Sequence, residues 1–481
     1  MYDKLIYELS KEGRIAYSLP NSEIKDYSLD TSLRRESPLL LPEVSELDVV
    51  RHYTKLSLKN FGVDQGFYPL GSCTMKYNPK IDEEIASYDL FKNIHPLQSE
   101  ESMQGLMQIY YDTSKYLSEI TGMSEFSFNP FAGAHGELTG LMIMKQYHLN
   151  RGDLKRTKVI VPDSAHGTNP ASSALCGYDV VEVKSKEDGT IDVDCLKGLL
   201  DGSIAGIMMT NPNTVGIFEK DVLEIARLMH ENGSLLYYDG ANLNAILGVA
   251  KPALMGFDIM HINLHKTFAT PHGGGGPGSG AVGVRSDLVS LLPSPRISFD
   301  GAKYHFLNTS PISVSSFYGN ANVVIKAWSY ILSLGKENIA DVARYAVLNA
   351  NYIKESLKDE YKLPISGICK HEVVFDGLLD EAASTLDVAK RLLDYGYHPP
   401  TIYFPLLFHQ AMMIEPTENE SKETLDDFIA CLKQIAKEAK DDPELLHTAP
   451  HTTIVKRLDD VLAARRPILT YKDYLDNKDT F

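Results

Sequence analysis

The sequence predicts an α/β protein with a mostly parallel sheet in a large domain and a smaller α+β domain at its C-terminal end. Short apolar runs, rich in β-branched or aromatic residues, end at proline, asparagine or aspartate, as strands buried on both faces do in parallel sheets. A segment of helical period, residues 219–232, separates two of these runs and carries Val222, Ile225, Ala226 and Met229 on one face. The predicted strands are 159–161, 180–183, 205–209 and 235–238.

The pattern changes after about residue 335. The sequence then predicts a helix near 341–358, a strand near 372–375, a helix near 385–396 and a strand ending at Met412–Glu415. A final helix follows, with one apolar face formed by Leu425, Phe428, Ile429, Leu432, Ile435 and Ala436. We therefore divide the chain into an N-terminal arm (1–65), a large domain (66–335) and a small α+β domain (336–481).

Composition excludes several classes of function. The 481 residues are 43% hydrophobic, which suffices for a large core, and the net charge of −17 disfavours binding to nucleic acid. The five cysteines include no C-x-x-C pair, which favours free thiols in a reducing compartment over a disulfide framework or a metal site. Without a signal peptide or an apolar run of membrane-spanning length, the expected location is the cytoplasm, away from membranes.

Polar residues follow the predicted strands at the points where the strands end. These residues are Asp163–His166, Asn211–Thr214, Asp239–Asn242 and His265–Lys266. In open α/β sheets, ligands bind beyond the carboxyl ends of the strands. We therefore expect these four groups to share one rim.

Lys266 has the sequence context of a lysine that binds a cofactor aldehyde. It follows the apolar run Ile262–Leu264 and precedes the glycine-rich stretch 273–276, whose backbone allows close approach of a flat ring. The alternative is a surface lysine beside a mobile glycine loop. The glycine stretch lacks the G-K-[ST] of a phosphate-binding P-loop, and no G-x-G-x-x-G follows a strand, so nucleotide binding is disfavoured.

Three further elements complete a candidate site for pyridoxal 5'-phosphate. Asp239 would keep the pyridine nitrogen protonated, Gly133-Ala134-His135 would offer backbone N–H groups at a helix start to the phosphate, and His166 would stack on the ring. Each has a structural alternative: a helix cap or turn for the aspartate, a simple helix start for the glycines, and a hydrogen-bonded core residue for the histidine. Their order along the chain is more specific than any one of them.

Several longer motifs resemble the glycine dehydrogenase (decarboxylating) family, the P-protein of the glycine cleavage system. They are Tyr68–Lys76 (YPLGSCTMK), Asn93–Pro96, Ala132–Glu137, Ser164–Ala171 (SAHGTNPA), Asp239–Asn242, Leu264–Phe268 (LHKTF) and Glu415–Glu418 (EPTE). The resemblance implies fold type I of the pyridoxal phosphate enzymes, the aminotransferase-like fold. It also implies decarboxylation of glycine, release of CO2, and transfer of the aminomethyl group to the lipoyl arm of the H-protein.

The length of the chain indicates that it works with a partner subunit. Family members built as one chain carry two related halves, and a single half with the lysine resembles subunit 2 of the split form. The resemblance then implies a subunit 1 of similar fold, in a heterotetramer with two copies of each chain, and the arm before residue 65 is a candidate for embracing it. A homodimer of this chain alone is the alternative.

The resemblance also implies roles for individual residues. Lys266, His166 and Asp239 are the expected catalytic residues, and Thr214, Ala241 and His265 join Gly133, Ala134 and His135 as cofactor contacts. Thr168, Ser72, Cys73 and Thr74 are expected to face the substrate or the entering lipoyl arm. A thiol exchange between Cys73 and the lipoyl disulfide is weaker than a packing role. Neither Arg285 nor Arg296 could be chosen as the ligand of the glycine carboxylate.

Other functions remain open at this point. Another fold type I enzyme, such as an amino-acid decarboxylase or an aminotransferase, would share the lysine and the aspartate but not the long motifs. A non-catalytic subunit would not need Lys266, Asp239 and His166 together. A thiol-dependent desulfurase would need a cysteine on a mobile loop near the cofactor.

Overall fold

The computed structural model describes residues 4–25, 27–37, 39–273 and 278–478. Its contacts divide the chain into two units, Gly66–Thr448 and the described residues of Met1–Gln65 with Ala449–Phe481. The predicted glycine stretch lies outside the described residues from Gly274 to Gly276. No helix in the described ranges combines the length and the apolar composition that crossing a bilayer requires.

A seven-stranded sheet forms the centre of the larger unit, in the order β1-β7-β6-β5-β4-β2-β3. Its strands are β1 (Glu125–Ser127), β2 (Lys158–Pro162), β3 (Asp179–Val183), β4 (Ile204–Thr210), β5 (Leu235–Gly240), β6 (Ile259–Asn263) and β7 (Gly280–Val284). The pairs from β3 to β6 are parallel, and only β7 runs against its two neighbours. The predicted mostly parallel sheet is therefore confirmed.

Burial explains why the central strands read as continuous apolar runs. All residues of β4, β5 and β6 are buried, because helices cover both faces of the sheet. Predicted strands 205–209 and 235–238 fall inside β4 and β5. The sequence pattern did not predict the antiparallel strand β7 or the edge strand β1 that pairs with it.

Fifteen α-helices occur in the described residues. They are α1 (Glu46–Ser57), α2 (Lys80–Ala86), α3 (Asp89–Lys92), α4 (Gln104–Thr121), α5 (Gly133–Asn150), α6 (Thr168–Leu175), α7 (Val193–Leu199), α8 (Val222–Glu231), α9 (Leu264–Thr267), α10 (Ala321–Leu357), α11 (Thr385–Asp394), α12 (Lys422–Asp441), α13 (Pro443–His447), α14 (Asp460–Arg465) and α15 (Tyr471–Asn477). Short 3-10 helices cover Ile6–Leu9, Thr31–Leu33, Glu100–Ser102, Leu243–Ala245, Pro252–Met255 and Ser286–Leu291.

Two of the predicted helices show how far periodicity reaches. The helix predicted at 219–232 is α8, and the four residues predicted for its apolar face are all buried. The helix predicted near 341–358 is the second half of α10, which begins at Ala321. Gly335 interrupts α10 with φ 67° and ψ 177°, a conformation that only glycine adopts easily, and so separates two helical halves.

The C-terminal part of the larger unit contains a small antiparallel sheet. Its strands are β10 (Val373–Asp376), β11 (Thr401–Ile402) and β12 (Ala411–Ile414), in the order β10-β12-β11. The apolar face of α12 packs in the same core cluster as β10 and β12, as the spacing of its apolar residues predicted. A separate hairpin pairs β8 (Arg296–Phe299) with β9 (Tyr304–Leu307).

The smaller unit joins the two ends of the chain. Within it, the rings of Tyr7 and Tyr471 stack with 4.2 Å between their centroids, and α1 is capped by Ser45. Residues 449–478 thus group with the N-terminal residues, whereas the division made from the sequence assigns them to the small C-terminal domain. The boundary at about residue 335 stays a prediction.

Candidate active site

The lysine lies at the carboxyl end of a buried strand. Strand β6 ends at Asn263, and the single turn α9 that follows carries Lys266. The Lys266 Nζ donates a hydrogen bond of 2.7 Å to the carbonyl oxygen of Ser72. A strand held on both sides by β5 and β7 therefore fixes the position from which the amine projects.

The predicted rim surrounds a cavity of about 370 Å³ at this edge of the sheet. Its volume falls in the range of small-molecule and cofactor sites. The predicted residues that line it are Ser72, Gly133, Ala134, His166, Thr168, Thr214, Asp239, Ala241, His265 and Lys266. Asn242 of the predicted rim also lines it, and the further lining residues are Phe131, Ala132, Glu137, Thr210, Asn263, His272 and Gly278.

Three predicted residues do not line the cavity. The side chain of His135 turns back, and its Nδ1 accepts a hydrogen bond of 3.1 Å from the Phe131 N–H. Thr74 is fully buried, and Cys73 contributes its carbonyl oxygen, which lies 2.7 Å from the His272 Nε2. Burial raises the pKa of the Cys73 thiol, which disfavours the thiolate that disulfide exchange requires.

Asp239 is held by neighbours on three sides. It is the penultimate residue of β5, and its carboxylate accepts hydrogen bonds from the Asn169 side chain (3.0 Å) and the Ala241 N–H (2.9 Å). Its register partner on β6, His261, places Nε2 3.3 Å from Oδ1. The other ring nitrogen of His261 lies 2.8 Å from the Tyr237 hydroxyl, so both rings are fixed behind the carboxylate.

The opposite part of the cavity wall is the start of α5. No side chain among the described residues caps this helix, so the N–H groups of its first turn remain available to an anion. A Cβ on Gly133 would lie 2.5 Å from the Asn263 amide, which explains why a residue without a side chain stands there. The helix begins at Gly133 itself, so Gly133, Ala134 and His135 form its first turn.

Unpaired buried atoms point into the same region. The Asn263 Oδ1 and the His265 Nδ1 are buried and have no hydrogen-bond partner within the described ranges. Burial, His272 and Lys266 lower the pKa of His265 to about 3, so its ring is neutral. An amine, a carboxylate and an uncapped helix start around one cavity fit the aldehyde, ring nitrogen and phosphate of pyridoxal phosphate.

Glu137 is a site residue that the sequence did not single out. Its carboxylate accepts hydrogen bonds from the hydroxyls of Thr168 (3.0 Å) and Ser172 (3.1 Å). The Thr168 hydroxyl also lies 2.9 Å from the Nδ1 of His166. Burial and the nearby Asp239 raise the pKa of Glu137 to about 7. The only sequence signal was its place in the Ala132–Glu137 motif.

The segment Ser72–Asn78, which we call the strap, is joined by four hydrogen bonds to the lysine turn and the residues that follow it, up to His272. Besides the Lys266–Ser72 and His272–Cys73 contacts, the Lys76 Nζ donates to the Thr267 carbonyl (3.0 Å) and the Asn78 side chain donates to the Ala269 carbonyl (2.7 Å). Lys76 also pairs with Glu418 at 2.7 Å. The buried Lys76 is therefore engaged, and Lys266 is the lysine in the described cavity wall.

Neither candidate arginine lines the cavity. Arg285 forms ion pairs with Asp258 and Asp287, and Arg296 pairs with Glu125. Thr168, Thr214, Asn242 and Ser72 instead supply uncharged polar groups around Lys266.

Comparison with known proteins assigns the fold. Residues 142–301 match the aminotransferase class-V family, and residues 342–453 match the C-terminal domain of glycine dehydrogenase. A solved structure of glycine decarboxylase (P-protein) of the glycine cleavage system in inhibitor-bound form superposes with a TM-score of 0.72 at 20% identity, covering 85% of this chain and 93% of that one. A cysteine desulfurase from Thermococcus onnurineus has a TM-score of 0.62 at 15% identity, covering 78% and 95%.

Curated relatives match over nearly the whole chain. A probable glycine dehydrogenase (decarboxylating) subunit 2 from Caldanaerobacter subterraneus subsp. tengcongensis is 58% identical over 479 residues, covering 98% of this chain and 99% of the relative. One from Alkaliphilus oremlandii is 57% identical over 480 residues, with the same coverage. This chain belongs to the family of glycine dehydrogenase (decarboxylating) subunit 2.

Proposed function

We propose that this chain is the catalytic subunit of a two-subunit glycine decarboxylase that passes an aminomethyl group to the lipoyl arm of an H-protein. Family membership supports the decarboxylation of glycine with pyridoxal phosphate. The observation that carries the proposal is the cavity that has the Lys266 amine, the Asp239 carboxylate and the uncapped start of α5 in its wall.

Each of these groups has one task in holding the cofactor. Lys266 offers its amine to the aldehyde, Asp239 keeps a proton on the ring nitrogen, and the first-turn N–H groups of α5 receive the phosphate. His166, at the cavity wall, is the residue we assign to stacking on the ring. When bound, pyridoxal phosphate supplies a ring that accepts the electron pair released as the carboxylate departs.

The protein's own contribution is to orient groups and to place protons. Asn169 and Ala241 hold the Asp239 carboxylate in the cavity wall, so that its negative charge stays beside the ring nitrogen. The Ser72 carbonyl oxygen accepts a hydrogen bond from the free Lys266 amine and so holds it at the cavity wall. From there the amine can accept or return a proton at the carbon that loses CO2.

The described cavity lining contains no arginine, which suits a substrate whose carboxylate must leave. A bidentate arginine would stabilise the carboxylate of bound glycine as much as it orients it, and this would raise the barrier to its loss. We assign Thr168 and Ser72 as substrate-facing groups, with Thr214, Ala241 and His265 on the cofactor side. Cys73 and Thr74 then act through the backbone of the strap.

The partners follow from the family. We propose a subunit 1 of related fold, in a heterotetramer with two of each chain, and a lipoylated H-protein as acceptor, in the cytoplasm. The N-terminal arm is the segment we assign to the contact with subunit 1. A small α+β domain is proposed to begin near residue 336, and its Glu372 and Glu415 side chains accept the Ser72 and Thr74 N–H groups of the strap.

Exchange of labelled bicarbonate into glycine tests the function. We expect exchange that requires glycine, lipoylated H-protein, subunit 1 and this chain together, and no exchange when Lys266→Ala replaces it. An aminotransferase would instead consume a keto acid, and a simple decarboxylase would release CO2 without the H-protein. Either result in the assembled system would refute the proposed acceptor.

A further inference from the structure

Two buried glutamates face each other at the edge of the small sheet. Glu372 immediately precedes β10, and Glu415 immediately follows β12. Because Val373 is the register partner of Ile414 in this antiparallel pair, the next positions outward bring Glu372 opposite Glu415. Both side chains are fully buried, at a place where carboxylates are rare unless they are paired.

These carboxylates hold the strap from the side opposite to the lysine. One oxygen of Glu372 accepts the N–H of Ser72 at 2.8 Å, and one oxygen of Glu415 accepts the N–H of Thr74 at 3.0 Å. Ser72 and Thr74 have φ values of 65° and 49°, which few residues other than glycine adopt without such support. The Ser72 carbonyl on the same segment accepts the Lys266 amine.

The remaining oxygens accept no hydrogen bond from the described residues. The Oε1 atoms of Glu372 and Glu415 are buried, as are both ring nitrogens of His371, and the His371 Nε2 lies 3.5 Å from the Glu372 Oε1 without forming a hydrogen bond. Ligand atoms from these three side chains lie within 4.8 Å of one another. Two ionised carboxylates this close would be costly away from water, whereas one proton on the pair leaves a single charge to be balanced.

The charged groups that face the pair agree with this assignment. Lys266 faces both glutamates, Lys76 faces Glu415, and the Cys73 thiol lies beside them. Burial, and after it the Glu415 charge, raises the pKa of Glu372 well above its usual value, and burial raises the pKa of Glu415 to about 7. Burial and Lys266 lower the pKa of His371 to about 3, so this ring carries no charge.

We propose that Glu372 and Glu415 form a singly protonated pair that positions the strap and supplies the counter-charge of the free Lys266 amine. They are positioning residues, since they act on Lys266 through the Ser72–Thr74 backbone and through their charge. This inference rests on the proposed function only in taking Lys266 as the lysine that binds the cofactor.

The pH dependence of cofactor uptake tests the proposal. Cofactor-free protein is mixed with pyridoxal phosphate, and the rate at which the visible absorbance band of the lysine adduct appears is followed against pH. Only the unprotonated amine reacts, so the inflection reports the pKa of free Lys266. Glu372→Gln and Glu415→Gln singly leave one ionised carboxylate, and we expect the inflection to stay at its wild-type position.

The double variant Glu372→Gln/Glu415→Gln removes the remaining negative charge of the pair, while Asp239 and Glu137 stay in the cavity wall. We expect the inflection to fall by about one pH unit, the lower end of what one nearby opposite charge does. In addition, Glu415→Ala removes the acceptor of the Thr74 N–H and slows uptake, whereas Glu415→Gln, which keeps an acceptor oxygen, restores the rate. If Glu415→Ala is too unstable to study, the glutamine variants still test the proposal.

Glu219→Gln is the matched control. The Glu219 carboxylate is also buried and also accepts two backbone N–H groups, from Ile191 and Asp221, but its charged neighbours are Asp221 and Lys186. We expect its inflection to match the wild type.

Three results would overturn the inference. An inflection that falls in each single variant would mean two ionised carboxylates, and an unchanged inflection in the double variant would mean no coupling to Lys266. A stoichiometric metal in the wild type that is lost in the double variant would mean that a cation joins the oxygens. Failure of wild-type protein to form the adduct at Lys266 would instead refute the proposed function.

Discussion

Replacing Lys76 by methionine should destabilise the larger unit strongly. The Lys76 side chain is 1% exposed, and its partner Glu418 is 8% exposed. The Lys76 Nζ donates to Glu418 (2.7 Å), to the Asn244 side chain (2.7 Å) and to the Thr267 carbonyl (3.0 Å). Lys76→Met leaves all three acceptors without this donor in a buried place. Breaking a buried pair in this way costs about 3–5 kcal/mol.

The structure also predicts how much of this loss can be recovered. The double variant Lys76→Met/Glu418→Gln removes the stranded charge, so it should be more stable than Lys76→Met alone by at least about 1 kcal/mol. Lys92→Met is the matched control, because the Lys92–Asp89 pair is exposed (52% and 80%) and such pairs contribute about 0–1 kcal/mol. Urea unfolding followed by circular dichroism measures all three free energies.

Two results would refute the reasoning about Lys76. A cost for Lys76→Met no larger than that for Lys92→Met would show that the buried contacts are not what stabilises the strap. A double variant less stable than the single one would show that the Glu418 charge is balanced by another group. Because the Thr267 carbonyl is next to Lys266, Lys76→Met should also weaken cofactor binding, which equilibrium dialysis measures.

Three further predictions concern the cavity. Lys266→Ala should abolish the visible band of cofactor-loaded protein, and borohydride reduction followed by peptide mapping should find no labelled lysine; a labelled peptide elsewhere in the chain would contradict this. Asp239→Asn should keep the cofactor bound but reduce glycine decarboxylation by several orders of magnitude, because the neutral amide no longer holds a proton on the ring nitrogen; near-normal turnover argues against the pairing. Because the pKa of Glu137 is raised to about 7, the folded state keeps a proton that the unfolded chain loses near pH 4.5. The free energy of unfolding of the wild type should therefore fall relative to that of Glu137→Gln as pH rises from about 4.5 to 7, and then level off. Parallel curves of stability against pH for the two proteins would rule this out.

The sequence was sufficient to predict the edge of the sheet where the cavity lies. Lys266, Asp239, Thr214 and His166 follow different strands, yet all line one cavity. This works because parallel strands buried on both faces leave a clear apolar signature, and because their carboxyl ends meet at one edge. Predicting this edge requires no knowledge of individual side-chain contacts.

The second half of the site could not be predicted in this way. Glu372 and Glu415 contact the strap across 300 and 341 residues of sequence, and no periodicity relates such distant segments. A glutamate beside an apolar strand is ordinarily exposed, so the pattern gave no reason to place either one inside. A charged residue next to a strand that is buried on both faces was the available signal.

Two elements were not predicted because a local feature of the sequence hides them: the first half of α10 and strand β1. The first half of α10 was not predicted, because Gly335 interrupts the helix and the predicted helix began only after it. Strand β1 has three residues, which is too short for alternation to show.

The first three residues of the strap, Ser72–Thr74, are held by main-chain hydrogen bonds. The Ser72 and Cys73 carbonyls and the Ser72 and Thr74 N–H groups hold them between Lys266, His272 and the two glutamates. Exchanging one side chain here, for example Cys73 for serine, preserves every one of these bonds. Inserting or deleting a single residue within Ser72–Thr74 shifts all of them out of register, so Cys73 can change in identity whereas the length of this segment cannot change.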